Sequence, residues 1–159
     1  MSQETHTPVA AYTINILGNK SPLVLTIPGR LPGLNEYTNA CRTNPQKGNQ
    51  MKRDAQTAAM WQIKAQLRRY KFQRPVFLLF TFYEQDRRRD KDNVSSFARK
   101  VIQDALVQCG TLQDDGWNNV TGYLDRFEVD SEMPRIVVEF IEQEVPAKCR
   151  KQPGKSSKK

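Results

Sequence analysis

The most constraining feature of this chain is an apolar run that passes through a short charged segment into a helical stripe. Residues 76–83 are almost entirely apolar or aromatic, and Pro75 precedes them. Such a run is typical of a largely buried strand. Over residues 94–109, apolar side chains return at helical spacing, and Gly110 follows as a stop signal. A buried strand followed by an amphipathic helix predicts a layered fold in which a helix packs on a sheet.

The remaining pattern supplies further strands and a second helix. Four more strands are predicted, at residues 12–17, 23–27, 119–129 and 135–142. Residues 51–70 repeat apolar side chains at helical spacing and carry a basic outer face, whereas residues 34–48 read as a polar loop. The predicted order is ββ-α-β-α-ββ. The predicted class is therefore α+β (mixed α/β), a single small domain with a mixed sheet and two packed helices.

Charge is distributed unevenly along the chain. The whole sequence of 159 residues carries a formal net charge of +8. Residues 42–74 hold nine basic side chains and one acid, whereas residues 104–146 hold ten acids and two basic side chains. Residues 147–159 hold six basic side chains and no acid, which predicts a basic disordered tail behind a domain of residues 1–146. The basic segments indicate a phosphate-bearing partner, although the charge total alone is weak evidence.

Several classes of protein are disfavoured by what the sequence lacks. No apolar run approaches the roughly 20 residues of a membrane span, and the first residues lack a signal pattern, so no membrane partner is expected. Three cysteines without short spacing favour reduced thiols, a cytoplasmic location and no zinc site. The single histidine, His6, argues against a histidine-based nuclease and a Ser-His-Asp enzyme.

Clustered carboxylates follow the central strand. Asp90 and Asp92 are two residues apart, and in extended backbone they would point to the same face. Two carboxylates so close repel each other unless a cation lies between them, and hard oxygen ligands suit Mg²⁺, with Mn²⁺ as an alternative. A further carboxylate, Asp114 or Asp115, lies in the turn after the next helix. On spacing alone, a solvated cluster of surface ion pairs is the more common explanation of such a pattern.

A lysine and a further acid lie on the helix between these carboxylates. Lys100 is off the apolar stripe, and Asp104 is placed four residues later, so the two can pair along the helix. Three acids and a lysine beside a metal are sufficient for phosphodiester hydrolysis, in which the metal activates water and the lysine steadies developing negative charge. The pattern therefore favours a metal-dependent nuclease.

Taken in order, these segments resemble the RusA family of Holliday junction resolvases. The segments that carry the resemblance are Arg88-Arg89-Asp90-Lys91-Asp92-Asn93, Lys100-x-x-x-Asp104-Ala105-Leu106 and Gly110-x-x-x-Asp114-Asp115. Residues 27–37, with their Pro-rich turn and Asn/Tyr loop, are also similar to that family. The likeness covers about residues 22–142. The ordered combination is far more specific than any one segment.

The resemblance implies a homodimeric, Mg²⁺-dependent endonuclease that nicks four-way DNA junctions symmetrically, in recombination and repair. Asp90, Asp92 and Asp115 correspond to the family's essential carboxylates and metal ligands, and Lys100 to its essential lysine. Lys100 lies four residues later than the family pattern places it, which is about one helical turn and keeps the helix face roughly in phase. Asp115 is preferred to Asp114 on spacing to Asp104, and both Asp104 and Asp114 are expected to lie beside the site.

DNA contacts are expected from the basic segment and from the arginines that flank the motif. The predicted contacts are Arg42, Lys47, Lys52, Arg53, Lys64, Arg68, Arg88 and Arg89. Trp61 and Trp117 lie outside the apolar stripes of the predicted core. The sequence is equally consistent with an interface or base-stacking role and with a packing role for each of them. Two alternatives remain: a metal nuclease for other branched or replication DNA, and a basic nucleic-acid-binding module without catalysis.

Overall fold

Seven elements follow one another in the computed structural model, which describes residues 22–144. They are β1 (Leu23–Pro28), α1 (Leu34–Thr43), α2 (Pro45–Leu67), β2 (Val76–Glu84), α3 (Lys91–Gln108), β3 (Val120–Val129) and β4 (Arg135–Glu142). The architecture is α+β, as predicted. Among these residues, no helix combines the length and the apolar character that crossing a bilayer demands.

The four strands form one mixed sheet in the order β1-β4-β2-β3. β4 pairs antiparallel with both β1 and β2, whereas β2 and β3 run parallel. A parallel pair needs a crossover connection, and α3 provides it. Seven of the nine side chains of β2 are apolar or aromatic, the others being Thr81 and Glu84, and most are buried, as expected for an interior strand. The predicted central strand is thus confirmed, and α3 is placed directly behind it.

Apolar side chains from one face of the sheet and from the helices form the core. Leu78, Phe80 and Phe82 of β2 are fully buried against the stripe of α3, which includes Val101 and Ile102. α2 contributes Ala55, Ala59, Ile63 and Leu67 to the same cluster. α2 and α3 therefore pack on one side of the sheet, so the polar faces of both helices are left for other contacts.

The prediction of two helices was incomplete, because the described residues contain three. Residues 34–48 were predicted to be a polar loop, yet they form α1 and the start of α2. α1 has no fully buried residue, and its few apolar side chains that pack on the core, Leu34 and Tyr37, are interspersed with polar ones, so its helical pattern is short. The four strands at residues 23–27, 76–83, 119–129 and 135–142 are confirmed. The predicted strand at 12–17 and the predicted tail at 147–159 lie outside the described residues.

α2 begins earlier and ends earlier than the predicted range of 51–70. Its start is set by Asn44, whose side chain accepts a hydrogen bond from the Gln46 amide, and by Pro45 in the first turn. Its end is set by Arg68 and Arg69, which adopt left-handed backbone conformations with φ of 46° and 66°. Left-handed residues cannot continue a right-handed helix, so the chain turns there toward β2.

Candidate functional site

Asp90 and Asp92 lie at the N-terminus of α3. Asp90 is the N-cap residue, and its Oδ1 accepts a 2.8 Å hydrogen bond from the Asn93 amide. Asp92 lies in the first helical turn, where its Oδ1 accepts from Ser96 Oγ at 2.7 Å. The expectation that both side chains project from extended backbone was wrong, because β2 ends at Glu84 and Asp92 is helical. The positive end of the helix dipole now offsets part of their mutual repulsion.

Neither of these two carboxylates is neutralised by a neighbouring cation. Both are exposed, and within residues 22–144 neither forms an ion pair with a lysine or arginine. Arginines and Lys91 nevertheless surround them in the sequence. Two uncompensated carboxylates at one helix end leave negative charge available for an added cation.

The two arginines of the motif have different environments. Arg89 is only 11% exposed, and its guanidinium makes a bidentate pair with Glu84 and donates to the Leu31 carbonyl. Arg88 is 90% exposed and approaches only Asp86, at 3.5 Å. Arg89 is therefore committed to joining the end of β2 to the segment before α1, whereas Arg88 is free to reach a phosphate.

Asn93 joins the N-termini of two helices. Its side chain is buried, and its Oδ1 accepts a 2.8 Å hydrogen bond from the Asn35 amide in the first turn of α1. Gly33 precedes α1, and a Cβ there would lie 2.6 Å from Asn93 Oδ1. The sequence identified Asn93 only as the last residue of the charged motif and gave it no role. The structure gives it a positioning role, since it fixes α1 against the end of α3 that carries the carboxylates.

Lys100 lies between two acids further along α3. Its Nζ is 2.8 Å from Asp104 Oδ1 and 2.9 Å from Asp115 Oδ2. The hydrogen bond that Lys100 donates to Asp104 and, to a lesser extent, the one that it donates to Asp115 raise the pKa of Lys100. The hydrogen bond from Lys100 lowers the pKa of Asp115. Lys100 is thus a firmly charged ammonium group, held in place from both sides.

The acids around Lys100 are anchored in turn. Asp104 Oδ2 also contacts Lys52 of α2 at 3.1 Å and lies 3.4 Å from the Gln56 amide group. Asp114 Oδ1 accepts a 2.7 Å hydrogen bond from the Gly116 amide and so closes the turn in which Asp115 lies. The structure therefore places Asp115, rather than Asp114, against the lysine. Asp104 lies beside Lys100, as the sequence predicted.

The three predicted metal ligands are not gathered into one cluster. In the part of the chain that the structure describes, no three His, Cys, Asp or Glu side chains lie close enough to hold a metal ion together. Lys100, which holds Asp115, is eight residues beyond Asp92, so its Cα lies about 12 Å farther along the helix. Lys100 and Asp115 therefore lie together, apart from Asp90 and Asp92.

Two carboxylates are nevertheless enough to begin a Mg²⁺ site. Proteins commonly bind Mg²⁺ through one or two carboxylates, with water and substrate phosphates completing the octahedron. Asp90 and Asp92 supply that number of hard oxygen ligands at an exposed position without competing cations. Asp90 and Asp92 are therefore the candidate ligands for Mg²⁺ at the N-terminus of α3, whereas Asp115 is paired with Lys100.

Most of the predicted DNA-contacting side chains are exposed and unpaired. Arg42 lies in the last turn of α1, and Lys47, Arg53, Lys64 and Arg68 lie on α2 or at its end. Within residues 22–144 none of these five pairs with an acid, whereas Lys52 is paired with Asp104. Exposed, uncompensated cations on consecutive helices form a surface suited to a polyanion.

No protein-family model matches the chain, and no curated protein matches it.

Proposed function

We propose that this protein is a Mg²⁺-dependent, structure-specific DNA endonuclease that resolves four-way junctions by paired symmetric nicks. The observation that carries the proposal is the exposed pair Asp90 and Asp92 at the N-terminus of α3, which no basic side chain neutralises within residues 22–144. Capping of α3 accounts for the position of Asp90, but a protein that merely holds phosphate gains no affinity from uncompensated carboxylates at its surface. A nuclease needs them for its cation.

Asp90 and Asp92 would hold the Mg²⁺ ion. When bound, the ion supplies positive charge that offsets the charge of the phosphodiester and favours attack on phosphorus. Lys100 presents a second positive charge on the same helix, held by Asp104 and Asp115. Because its Cα lies about 12 Å along the helix from that of Asp92, its proposed role is to contact a phosphate of the strand beside the metal site, not the scissile phosphate itself.

The junction specificity and the dimer are supported by the sequence resemblance to the RusA family. A two-fold symmetric dimer would present two equivalent sites to two symmetric strands, which suits paired nicking. The exposed cations of α1 and α2 would contact the phosphates of the junction arms.

The first prediction concerns Asp90. Replacing it by Asn keeps a side chain able to cap α3 but removes a charged ligand, so we expect cleavage of a synthetic four-way junction in Mg²⁺ to fall by a factor of about 10² or more, with binding retained. The measurement is a gel assay of labelled junction with Mg²⁺ and with EDTA. Glu128→Gln is the matched control, because Glu128 is an exposed acid of β3 that forms no ion pair within residues 22–144.

Each outcome of this assay separates one interpretation from another. Undiminished cleavage by the Asp90→Asn variant would show that Asp90 is not a metal ligand. Equal cutting of junction and linear duplex would leave a nuclease without junction specificity, which is the first alternative.

The dispersed positions of the predicted ligands favour one second candidate, a nucleic-acid-binding module without catalysis. A binding module of this kind would bind the junction but would not cut it in the presence of any divalent metal. The Asp90→Asn, Asp92→Asn double variant would then bind the junction as tightly as the unchanged protein.

A further inference from the structure

The outward face of α2 combines an exposed indole with unpaired cations. Arg53, Thr57, Trp61 and Lys64 follow one another at spacings of four, four and three residues, which places them on one helical face. Arg68 continues this line at the C-cap. We name these five residues the α2 stripe. All five are exposed, and Trp61 retains 69% of its surface in contact with solvent.

The cations of the α2 stripe have no acid to neutralise them. Arg53 donates only to the side chain of Gln50, and in residues 22–144 no ion pair involves Arg53, Lys64 or Arg68. The one acid within α2, Asp54, accepts from Gln50. The stripe therefore carries positive charge on both sides of the indole.

Trp117 provides an internal comparison. It is 98% exposed, but its neighbours in the turn are Asp115, Gly116 and Asn118 rather than cations. An exposed indole alone has no defined partner. What distinguishes Trp61 is the arrangement of an aromatic face between cations, which is the combination that proteins use for single-stranded nucleic acid.

We infer that the α2 stripe binds single-stranded nucleic acid, with Trp61 stacked on an unpaired base and Arg53, Lys64 and Arg68 on the flanking phosphates. An indole projecting from a helix reaches the face of a base only when that base is unstacked, because duplex neighbours cover both faces. Lys64 and Arg68 also line an open cavity of about 620 Å³ beside the stripe, which gives the backbone room to follow the helix end. The inference goes beyond the proposed cleavage and does not require it.

Tryptophan fluorescence tests the inference directly. The Trp117→Phe variant keeps Trp61 as its reporter, and the Trp61→Phe variant keeps Trp117. Each is titrated in EDTA with a twelve-nucleotide oligothymidylate, with the same length of duplex, and with inorganic polyphosphate. We expect the oligothymidylate to quench Trp61 strongly, the duplex and polyphosphate to quench it weakly, and Trp117 to change little.

Affinity measured by fluorescence anisotropy of a labelled oligothymidylate completes the test. Trp61→Ala should weaken binding about 5- to 150-fold, Trp61→Phe should retain part of the affinity, and Trp117→Ala should leave it unchanged. Lys64→Ala with Arg68→Ala should make the dependence of log affinity on log salt shallower by about 1.4, at about 0.7 per phosphate contact.

Three results would overturn the inference: no binding of the oligothymidylate, binding without a response of Trp61, or equal quenching by polyphosphate. RNA of the same length, an acidic peptide and anionic vesicles are titrated as further ligands. A response of Trp61 to the peptide or the vesicles alone would be a fourth result that overturns the inference. Junction cleavage is scored separately. Cleavage without a Trp61 effect leaves the endonuclease proposal standing, and a Trp61 effect without cleavage leaves only the inference.

Discussion

At the scale of single residues, the charged motif divides into side chains that build the site and side chains left open to a ligand. Arg89 and Asn93 belong to the first group, because both are largely buried and bridge α3 or β2 to the start of α1. Asp90, Asp92 and Arg88 belong to the second group, because they are exposed. Residues that are adjacent in the sequence therefore have different roles. The buried ones hold elements together, and the exposed ones are available to a ligand.

Gly33 is predicted to be intolerant of alanine. Its φ of −79° is ordinary for any residue, so the cost is steric: a Cβ would lie 2.6 Å from Oδ1 and 2.9 Å from Nδ2 of Asn93. Because Asn93 Oδ1 is bonded to the Asn35 amide, it cannot move freely, and we expect Gly33→Ala to lower the free energy of unfolding by about 1–3 kcal/mol. Urea denaturation followed by circular dichroism measures it.

A double-mutant cycle supplies the control. In an Asn93→Ala background the clash is removed, so Gly33→Ala should cost only the roughly 0.5–1 kcal/mol by which alanine is a poorer N-cap residue than glycine. If Gly33→Ala lowered the free energy of unfolding equally in the two backgrounds, the proposed contact with Asn93 would be contradicted.

At the scale of elements, the backbone of α2 is ended by arginines rather than by glycine. Arg68 and Arg69 both lie in the left-handed region, where a side chain is unfavourable. A chain that ends a helix in this way retains strain and gains two cations at the helix C-terminus, where positive charge is favourable. The helix end is therefore placed by a balance between backbone strain and charge.

Arg69→Gly is predicted to be more stable than Arg69→Ala by about 0.5–1 kcal/mol. Both variants lose the same charge, so the difference reports the backbone at φ 66°. Relief of the left-handed strain outweighs the greater freedom that glycine gains in the unfolded chain. Thermal unfolding of the two variants side by side checks this, and equal midpoints would show that residue 69 is not left-handed in solution.

At the scale of the whole molecule, the charge total matters less than its position. The sequence carries +8 overall, yet its basic side chains concentrate in residues 42–74 and its acids in residues 104–146. The fold turns this division into two regions, since the basic segment comprises the end of α1, α2 and the connection to β2, while the acids lie on α3, β3 and β4 and in the segments between and after them. A polyanion is therefore expected to contact α1 and α2, not the body as a whole.

Two charge changes separate position from total charge. Arg53→Ala should weaken junction binding and make the salt dependence shallower by about 0.9, the value for one phosphate contact on duplex DNA. Glu128→Gln, on the exposed β3 strand, makes the protein more positive and should leave affinity within about twofold. Binding at several salt concentrations, without divalent metal, measures both. Tighter binding by Glu128→Gln would mean that net charge, not the helical surface, governs association.

The sequence by itself determined the elements that bury apolar side chains. β2, α3 and β4 were predictable because their buried side chains appear in the sequence as an apolar run or as apolar residues at regular spacing. α1 was missed because only Leu34 and Tyr37 pack on the core, both partly buried, and its position also depends on contacts such as that between Asn93 and Asn35. The pairing of Lys100 with Asp104 was predictable because it is local, four residues apart on one helix.

Only the tertiary structure decided how the charged groups are combined. It placed Asp115 against Lys100, committed Arg89 to Glu84, and left Asp90 and Asp92 at a helix end instead of on a strand. The physical reason is that these arrangements join residues through the packing of separate elements and through the competition between capping, pairing and solvation. Sequence spacing records which groups are available, whereas distance and burial determine which of them meet.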